Sequence, residues 1–240
     1  MRKLPILLGI GRSARGAQST SKAINPDLKQ KVFERDDYTC RCCGFKSKKY
    51  QDILFKNGNP EQQDSRNMLT TCIFCHQCFH LDRVSDMRSG VLIWLPEIEQ
   101  YQLHHIARAT YVARIAQGPI AEAARRTFDV LMQRREEVKN RLGSDDPYIL
   151  SSVLRDYVSP PAYKVRHKKL DGIRLLPLDR RIIKEADLEF NQFPQILAYW
   201  RSKDGPFGGR LPKTWVDMYR DVASAQSQDQ PSEDQSSDAA

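Results

Sequence analysis

Leu28 and Val32 stand four apart with Phe33 beside them, and Asn25-Pro26-Asp27 precedes them. That spacing predicts a helix capped by Asn25, with Pro26 at its first position and Asp27 in its first turn, ending at Asp36-Asp37. After Ser89-Gly90, the apolar run 91–95 predicts a buried strand. Three helical patterns follow: residues 97–117 behind Pro96, residues 119–142, and a short helix from Asp146-Pro147 to near Tyr157. In the second, Ile120, Phe128, Leu131, Val138 and Leu142 form the core stripe. Ser159-Pro-Pro161 marks a boundary. Residues 183–200 read as a helix interrupted at Pro194, residues 201–212 as a loop, and residues 215–222 as a last helical turn or two. Near the start, residues 4–8 read as a short edge strand, the place where Pro5 is tolerated. Gly9-Ile-Gly11-Arg-Ser-Ala14 has the letters of a dinucleotide fingerprint, but no βαβ alternation follows, so it reads as a flexible turn.

Composition narrows the classes. The chain has 240 residues, of which 40% are apolar and 28% charged, enough for a real core. No apolar run approaches the roughly 20 residues of a membrane span. Met1-Arg-Lys before an apolar stretch imitates a secretion signal, but no small-x-small cleavage site follows, so secretion is not expected. The net charge is +8, which favours acidic partners without choosing among nucleic acid, lipid and protein. Residues 224–240 hold four acids, no base and no large apolar residue, so they are expected to be disordered; without those acids the body stands at +12. Residues 163–181 form a basic segment, suited to a phosphate backbone, an acidic partner or simply solvent. Trp94 reads as core, and Trp200 and Trp215 as core or interface anchors.

All six cysteines fall within residues 40–80, and in a long chain that is not expected to be secreted they point to metal before disulfides. Cys40-Arg-Cys-Cys43 and Cys72-Ile-Phe-Cys75 are two Cys-x-x-Cys pairs with twenty-eight residues between them. Each pair can place two thiolates on one Zn²⁺ from a knuckle turn, and two pairs complete a tetrahedron with no open position, as in structural sites. Gly44 follows the first pair, where a knuckle often needs positive φ. Cys78 makes an overlapping pair with Cys75, and Cys42, Cys78, His76 and His80 remain alternative ligands; an iron–sulfur cluster is the less favoured metal. His104 and His105 are neighbours on a helix and face different ways, which argues against a shared metal site.

Two resemblances build on these residues. Lys31-Val-Phe-Glu-Arg-Asp-Asp-Tyr-Thr-Cys40-x-x-Cys43-Gly44 and Asn67-Met-Leu-Thr-Thr-Cys72-x-x-Cys75-His76 resemble the opening and closing segments of zinc-containing HNH endonucleases. The likeness implies an α+β fold, an HNH-like ββα-metal (treble-clef-type) zinc module embedded in a mainly helical domain. That family uses a histidine general base on the hairpin between the pairs. Here Tyr50-Gln51-Asp52-Ile53 stands there, with no histidine between Cys43 and Cys72, so the chain reads as a pseudo-nuclease. An active enzyme would have to use Asp52, Asn67 and His76, and an ordinary aspartate is a poor base near neutrality.

More of the chain resembles the IcmJ (DotN) family of Dot/Icm type IVB secretion systems. The match is carried by Tyr38-Thr-Cys-x-x-Cys-Gly-Phe45, Tyr50-Gln-Asp-Ile53, Asn67 to Cys78, Leu92-Ile-Trp-Leu-Pro-Glu97 and Ile173-Arg-Leu-Leu-Pro177. It implies a non-catalytic, zinc-stabilised adaptor that docks on the C-terminal extension of the coupling ATPase DotL, beside DotM and IcmS–IcmW. It would sit on the cytosolic face of the inner membrane, and nucleic acid is not the expected partner. Helices beyond residue 97 and the segment 173–177 are expected to form the docking surface. The expected organisation is a basic N-terminal arm (1–24), the zinc module (25–96), a helical region (97–222) containing the basic segment, and the acidic tail (223–240).

Overall fold

The computed structural model describes residues 3–11, 24–185 and 187–228. It is a mixed α+β structure, mostly helical, with three small antiparallel two-stranded sheets among the described residues. Helix α1 (Pro26–Arg35) starts as its sequence predicts: the Asn25 side chain accepts from the amides of Asp27 and Leu28. Its Val32 is fully buried against Ile53 and Met68. Those two residues belong to the hairpin of β1 (Gln51–Phe55) and β2 (Met68–Cys72), paired from Gln51↔Cys72 to Phe55↔Met68. Helix α2 (Ile73–Cys78) leaves β2 directly, and the short α3 (Leu81–Val84) follows.

The predicted buried strand is β3 (Gly90–Trp94), and it pairs with β4 (Ile173–Pro177) from far along the chain. Helix α4 (Gln100–Arg114) packs across β4. The single helix expected over 119–142 is two, α5 (Pro119–Gln133) and α6 (Arg135–Leu142). The break falls at Arg134, which ends α5 and starts α6 and whose carbonyl also accepts from the Trp94 amide at 3.1 Å. Leu131 and Val138 are buried as expected, whereas Leu142 is exposed. Helix α7 (Pro147–Asp156) packs against α3 and β3, and α8 (Pro160–Lys164) begins at the expected boundary.

Four further expectations are corrected. Residues 183–191 are not helical: β5 (Ile182–Glu185) and β6 (Leu188–Asn191) form a hairpin with Ile183 opposite Phe190, a pairing that suits β-branched and aromatic side chains. Asn191 Oδ1 accepts from the amides of Arg181 and Phe193, closing the hairpin and starting α9 (Phe193–Arg201). Pro194 therefore lies in the first turn of α9, where it costs no hydrogen bond, rather than interrupting a helix. The basic segment contains β4, whose five residues are all buried, so 173–177 is interior and not a docking surface. Residues 4–8 form no strand. They run as a strap, with the Leu4 amide on the Arg41 carbonyl and the Gly9 amide on the Cys78 carbonyl. Helix α10 (Trp215–Gln228) continues past residue 223, where the tail was expected to begin; residues 229–240, and residues 12–23 of the arm, lie outside the described residues. No helix among the described residues is long and apolar enough to cross a membrane.

Gly172 sits at φ +79°, and a Cβ there would overlap the Trp94 ring. Its carbonyl also accepts from the Leu95 amide at 2.8 Å. Gly172→Ala is expected to lower unfolding stability by about 1–3 kcal/mol, from overpacking and a strained φ together. Urea denaturation checks this, and an unchanged midpoint would show that the turn is not closed against Trp94.

Candidate metal centre

The first cysteine pair lies on a tight turn after α1. Gly44, at φ +81°, returns its amide to the Cys40 carbonyl, and the Cys40 amide reaches the Phe45 carbonyl, both at 2.9 Å. A side chain would strain that turn, which explains the glycine. The second pair straddles the β2–α2 junction: Cys72 ends the strand, and its sulfur accepts from the Cys75 amide at 3.4 Å. The strap covers the knuckle, and the Arg41 amide adds a bond to the Thr70 carbonyl at 2.8 Å.

Cys40, Cys43, Cys72 and Cys75 converge, with all four sulfurs within 4.8 Å of one another and all four residues buried. Cys43 and Cys72 are 3.7 Å apart, sulfur to sulfur. With zinc–sulfur bonds near 2.3 Å, a tetrahedron has edges of about 3.8 Å, so the Cys43–Cys72 edge already matches such an ion and none of the others exceeds it by more than about 1 Å. Cys42 and Cys78 are also buried but lie outside this group. Cys78 faces the Phe74 carbonyl and His104 instead.

The strongest sign that this cluster carries negative charge comes from α4. Arg108 is 1% exposed, and its Nη2 lies 2.7 Å from the Cys72 sulfur and 3.7 Å from that of Cys43. Phe45 and Phe74 flank the guanidinium at 4.1 and 5.0 Å. No carboxylate pairs with it among the described residues, and its Nε and Nη1 have no hydrogen-bond partner. A buried cation without an anion is costly; four thiolates around a divalent ion carry −2 and supply one.

Two turns back, Gln100 holds the Leu175 backbone from both sides, accepting from its amide at 2.9 Å and donating to its carbonyl at 2.7 Å. The Gln100 amide also meets His104 Nε2 at 2.9 Å, while His104 Nδ1 lies 3.2 Å from the Cys75 sulfur. Burial pushes the His104 imidazole well down, so it is neutral. With Nε2 accepting from Gln100, its one proton sits on Nδ1 and points at the thiolate. His105 instead bonds the Cys43 carbonyl at 2.9 Å. The two histidines do face different ways, as adjacency predicts, yet both attend the cysteine cluster. Gln100, His104 and Arg108 recur every four residues on a face otherwise made of Leu103, Ala107 and Tyr111, and that periodic polar row is the signal that could have found them.

Asp52 and His76 also meet, at 3.8 Å between Oδ2 and Nδ1, and the His76 ring stacks on His80 at 4.4 Å. Burial works against the Asp52 charge, but His76, Lys29, the Ile53 amide and Arg181 outweigh it and hold the carboxyl below its usual range. Asn67 does not join them. It lies beyond the Phe55↔Met68 end of the hairpin, with its side chain bonded to Asn57 and the Gln62 carbonyl.

No family model matches the chain. Among curated proteins, it is similar to the type 4 apparatus protein DotN of Legionella pneumophila subsp. pneumophila. The two are 31% identical over 162 residues, which cover 66% of this chain and 75% of that protein.

The centre makes three expectations. Protein purified without chelator should carry one tetrahedral metal ion per chain by elemental analysis, and Cys40→Ser or Cys72→Ser should lose both the ion and the cooperative thermal transition. Arg108→Met should weaken metal affinity by about 10–100-fold in a chelator competition; an unchanged affinity would remove the guanidinium from the centre. Burial pushes the Cys72 and Cys75 thiols well up, so binding must displace protons. Bound metal should therefore be retained at neutral pH and lost as pH falls, and a metal content that does not fall with acid would contradict thiolate ligation.

Proposed function

The chain belongs to the family of the type 4 apparatus protein DotN, and on that premise we propose that it is a zinc-stabilised, non-catalytic adaptor of a Dot/Icm coupling complex. In this reading it docks on the C-terminal extension of the coupling ATPase, beside DotM-like and IcmS/IcmW-like subunits, on the cytosolic face of the inner membrane. The buried sulfur tetrad carries the reading. A centre with four sulfur donors and no open position gives a metal nothing to do but hold the chain together. A d¹⁰ ion with no redox chemistry suits that role, which favours zinc. The hairpin–helix unit between and after the cysteine pairs, β1, β2 and α2, is consistent with an HNH-like ββα-metal module kept as a scaffold.

The competing reading, a metal-dependent nuclease, has the Asp52–His76 contact in its favour. Against it stand the ionised Asp52, whose low proton affinity makes a weak base, and the placement of Asn67 at the opposite end of the hairpin. A basic nucleic-acid-binding protein without catalysis is supported only by net charge.

Two measurements decide among these. The purified protein should retain the C-terminal extension of the coupling ATPase at micromolar concentration; absence of retention would sink the adaptor reading. Plasmid incubated with the protein and Mg²⁺, Mn²⁺ or Ni²⁺ should stay supercoiled. Nicking abolished by Asp52→Ala would instead establish the nuclease.

A further inference from the structure

The strap over residues 3–11 is bonded alternately to its two sides. The Leu8 carbonyl accepts from Arg166 Nε at 2.6 Å, and the Ile10 amide donates to the Tyr163 hydroxyl at 2.9 Å. The Gly9 amide and carbonyl turn the other way, to Cys78 and Leu81 at 2.9 and 3.0 Å, and the Gly11 amide reaches Asp82 at 3.3 Å. Successive residues therefore alternate in direction as in a strand, and Ile6 falls on the side of Leu8 and Ile10. There a cleft of about 530 Å³ opens between the strap, the start of α4, the turn at 166–168 and β4. The amides of Ile6, Leu7 and Leu8 and the carbonyls of Ile6 and Leu7 have no hydrogen-bond partner among the described residues. Leu8 is only 7% exposed, and an unbonded amide in so buried a residue is costly.

Arg174 lines the same cleft and is 7% exposed. Its Nε and Nη1 donate to the Ile98 and Ile173 carbonyls at 2.8 and 3.2 Å, while Nη2 has no partner and no carboxylate pairs with the guanidinium among the described residues. The acids of the cleft are engaged by backbone amides, Glu99 in the α4 capping box and Asp171 with the Gly172 amide at 3.0 Å. Lys168 also lines it, exposed and without an ion pair among the described residues. We propose that this cleft binds an extended, acidic segment of a partner protein, added as a short strand alongside Ile6 and Leu8 with a carboxylate on Arg174 and Lys168. Unbonded backbone groups on alternate residues match another extended chain, and a carboxylate is the group that a free guanidinium nitrogen and an ammonium select. Other occupants fit less well. A small anion cannot span the roughly 7 Å between alternate residues of an extended chain. Residues 12–23 carry three bases and no acid. A second copy pairing strap to strap would bring two sets of Arg174 and Lys168 together. Strand addition here is separate from the coupling-complex reading and holds for any partner segment of that chemistry.

The test uses the full chain with its metal bound. In the free chain, hydrogen exchange followed by NMR should be faster by about tenfold or more at the Ile6 amide than at those of Leu4 and Gly9, which are bonded at 2.9 Å. Dodecapeptides displayed on phage and selected on the chain should carry acidic residues among alternating apolar ones. A selected peptide should slow exchange at Ile6 and Leu8 but not at Leu7. Its affinity should fall about tenfold in Ile6→Pro, which removes the amide, and about fivefold in Lys168→Glu, an exposed substitution expected to keep the metal content and thermal transition. Five outcomes overturn the proposal: an Ile6 amide as slow as Leu4 in the free chain, no selected peptide, selected peptides without acids, protection at Leu7 rather than at Ile6 and Leu8, or an affinity unchanged in Lys168→Glu. Inorganic phosphate that by itself slows exchange at Ile6 and Leu8 overturns it in favour of a small-anion site. Slow exchange at Ile6 that is relieved in D229N/E233Q/D234N/D238N overturns it in favour of this chain's own acidic tail.

Discussion

Arg108 carries a positive charge into an interior in which no carboxylate of the described residues meets it. Such a charge is held only beside an anion, and the atoms within reach are sulfurs. The dependence runs both ways. Four thiolates on a divalent ion leave a net negative charge in a dry environment, and Arg108, the His104 ring proton and the Cys75 amide all direct positive charge at it. Each buried charge lowers the cost of burying the other. Because the cation comes from α4 and the sulfurs from the knuckle, β2 and α2, the balance also fixes how the helices sit on the cysteine module. Gln100 extends the link by holding Leu175 of β4, so one face of α4 joins the metal centre to the β3–β4 sheet.

That linkage marks where the sequence could be read and where it could not. The cysteine pairs, the α1 cap and the β3 run are local patterns, and each is recognised within a few residues of itself. Arg108 and His104 find their sulfurs 26 to 65 residues away. A polar residue on an otherwise apolar helix face gives no hint of which distant atom it will meet. Non-locality also bears on residues 119–142: their charged pattern is continuous, yet α5 ends and α6 begins at Arg134, where the chain is tied to Trp94 of β3. In 182–191 the difficulty is weaker patterning. A stretch rich in Lys, Glu, Asp and Leu has helical composition, and the cross-strand pair Ile183–Phe190 with the double acceptor Asn191 outweighs it.

The β1–β2 hairpin separates position from chemistry in a related way. Its register sets Asp52 beside His76, so two groups from widely separated stretches share one spot. The charges acting on Asp52 are positive, His76 and Lys29 first and Arg181 after them, and these keep it ionised. A carboxylate stabilised in that form has little affinity for a proton from water. The neighbouring His76 is pushed towards neutrality by burial, against the pull of Asp52, and is backed by the His80 ring. The pair satisfies the end of the hairpin electrostatically, and the third residue that a nuclease would need is bonded elsewhere.

The basic residues of 163–181 are not equally available to solvent. Within the basic segment Arg166 donates to the Leu8 carbonyl at 2.6 Å, Arg174 to the Ile98 carbonyl at 2.8 Å and Arg181 to Gln192 at 3.2 Å. A planar guanidinium with several donors can satisfy backbone carbonyls at the edge of a core, and its weak hydration makes that exchange less costly than for an ammonium. Lys164, Lys168 and Lys169 keep their compact charges in water. A run that reads from sequence as one positive patch is thus two populations: Arg166, Arg174 and Arg181, held by the strap, the Ile98 carbonyl and Gln192, and Lys164, Lys168, Lys169 and Arg180, which are exposed. Only the second population presents its charge fully to solvent, so the segment's outward charge is smaller than its sequence suggests.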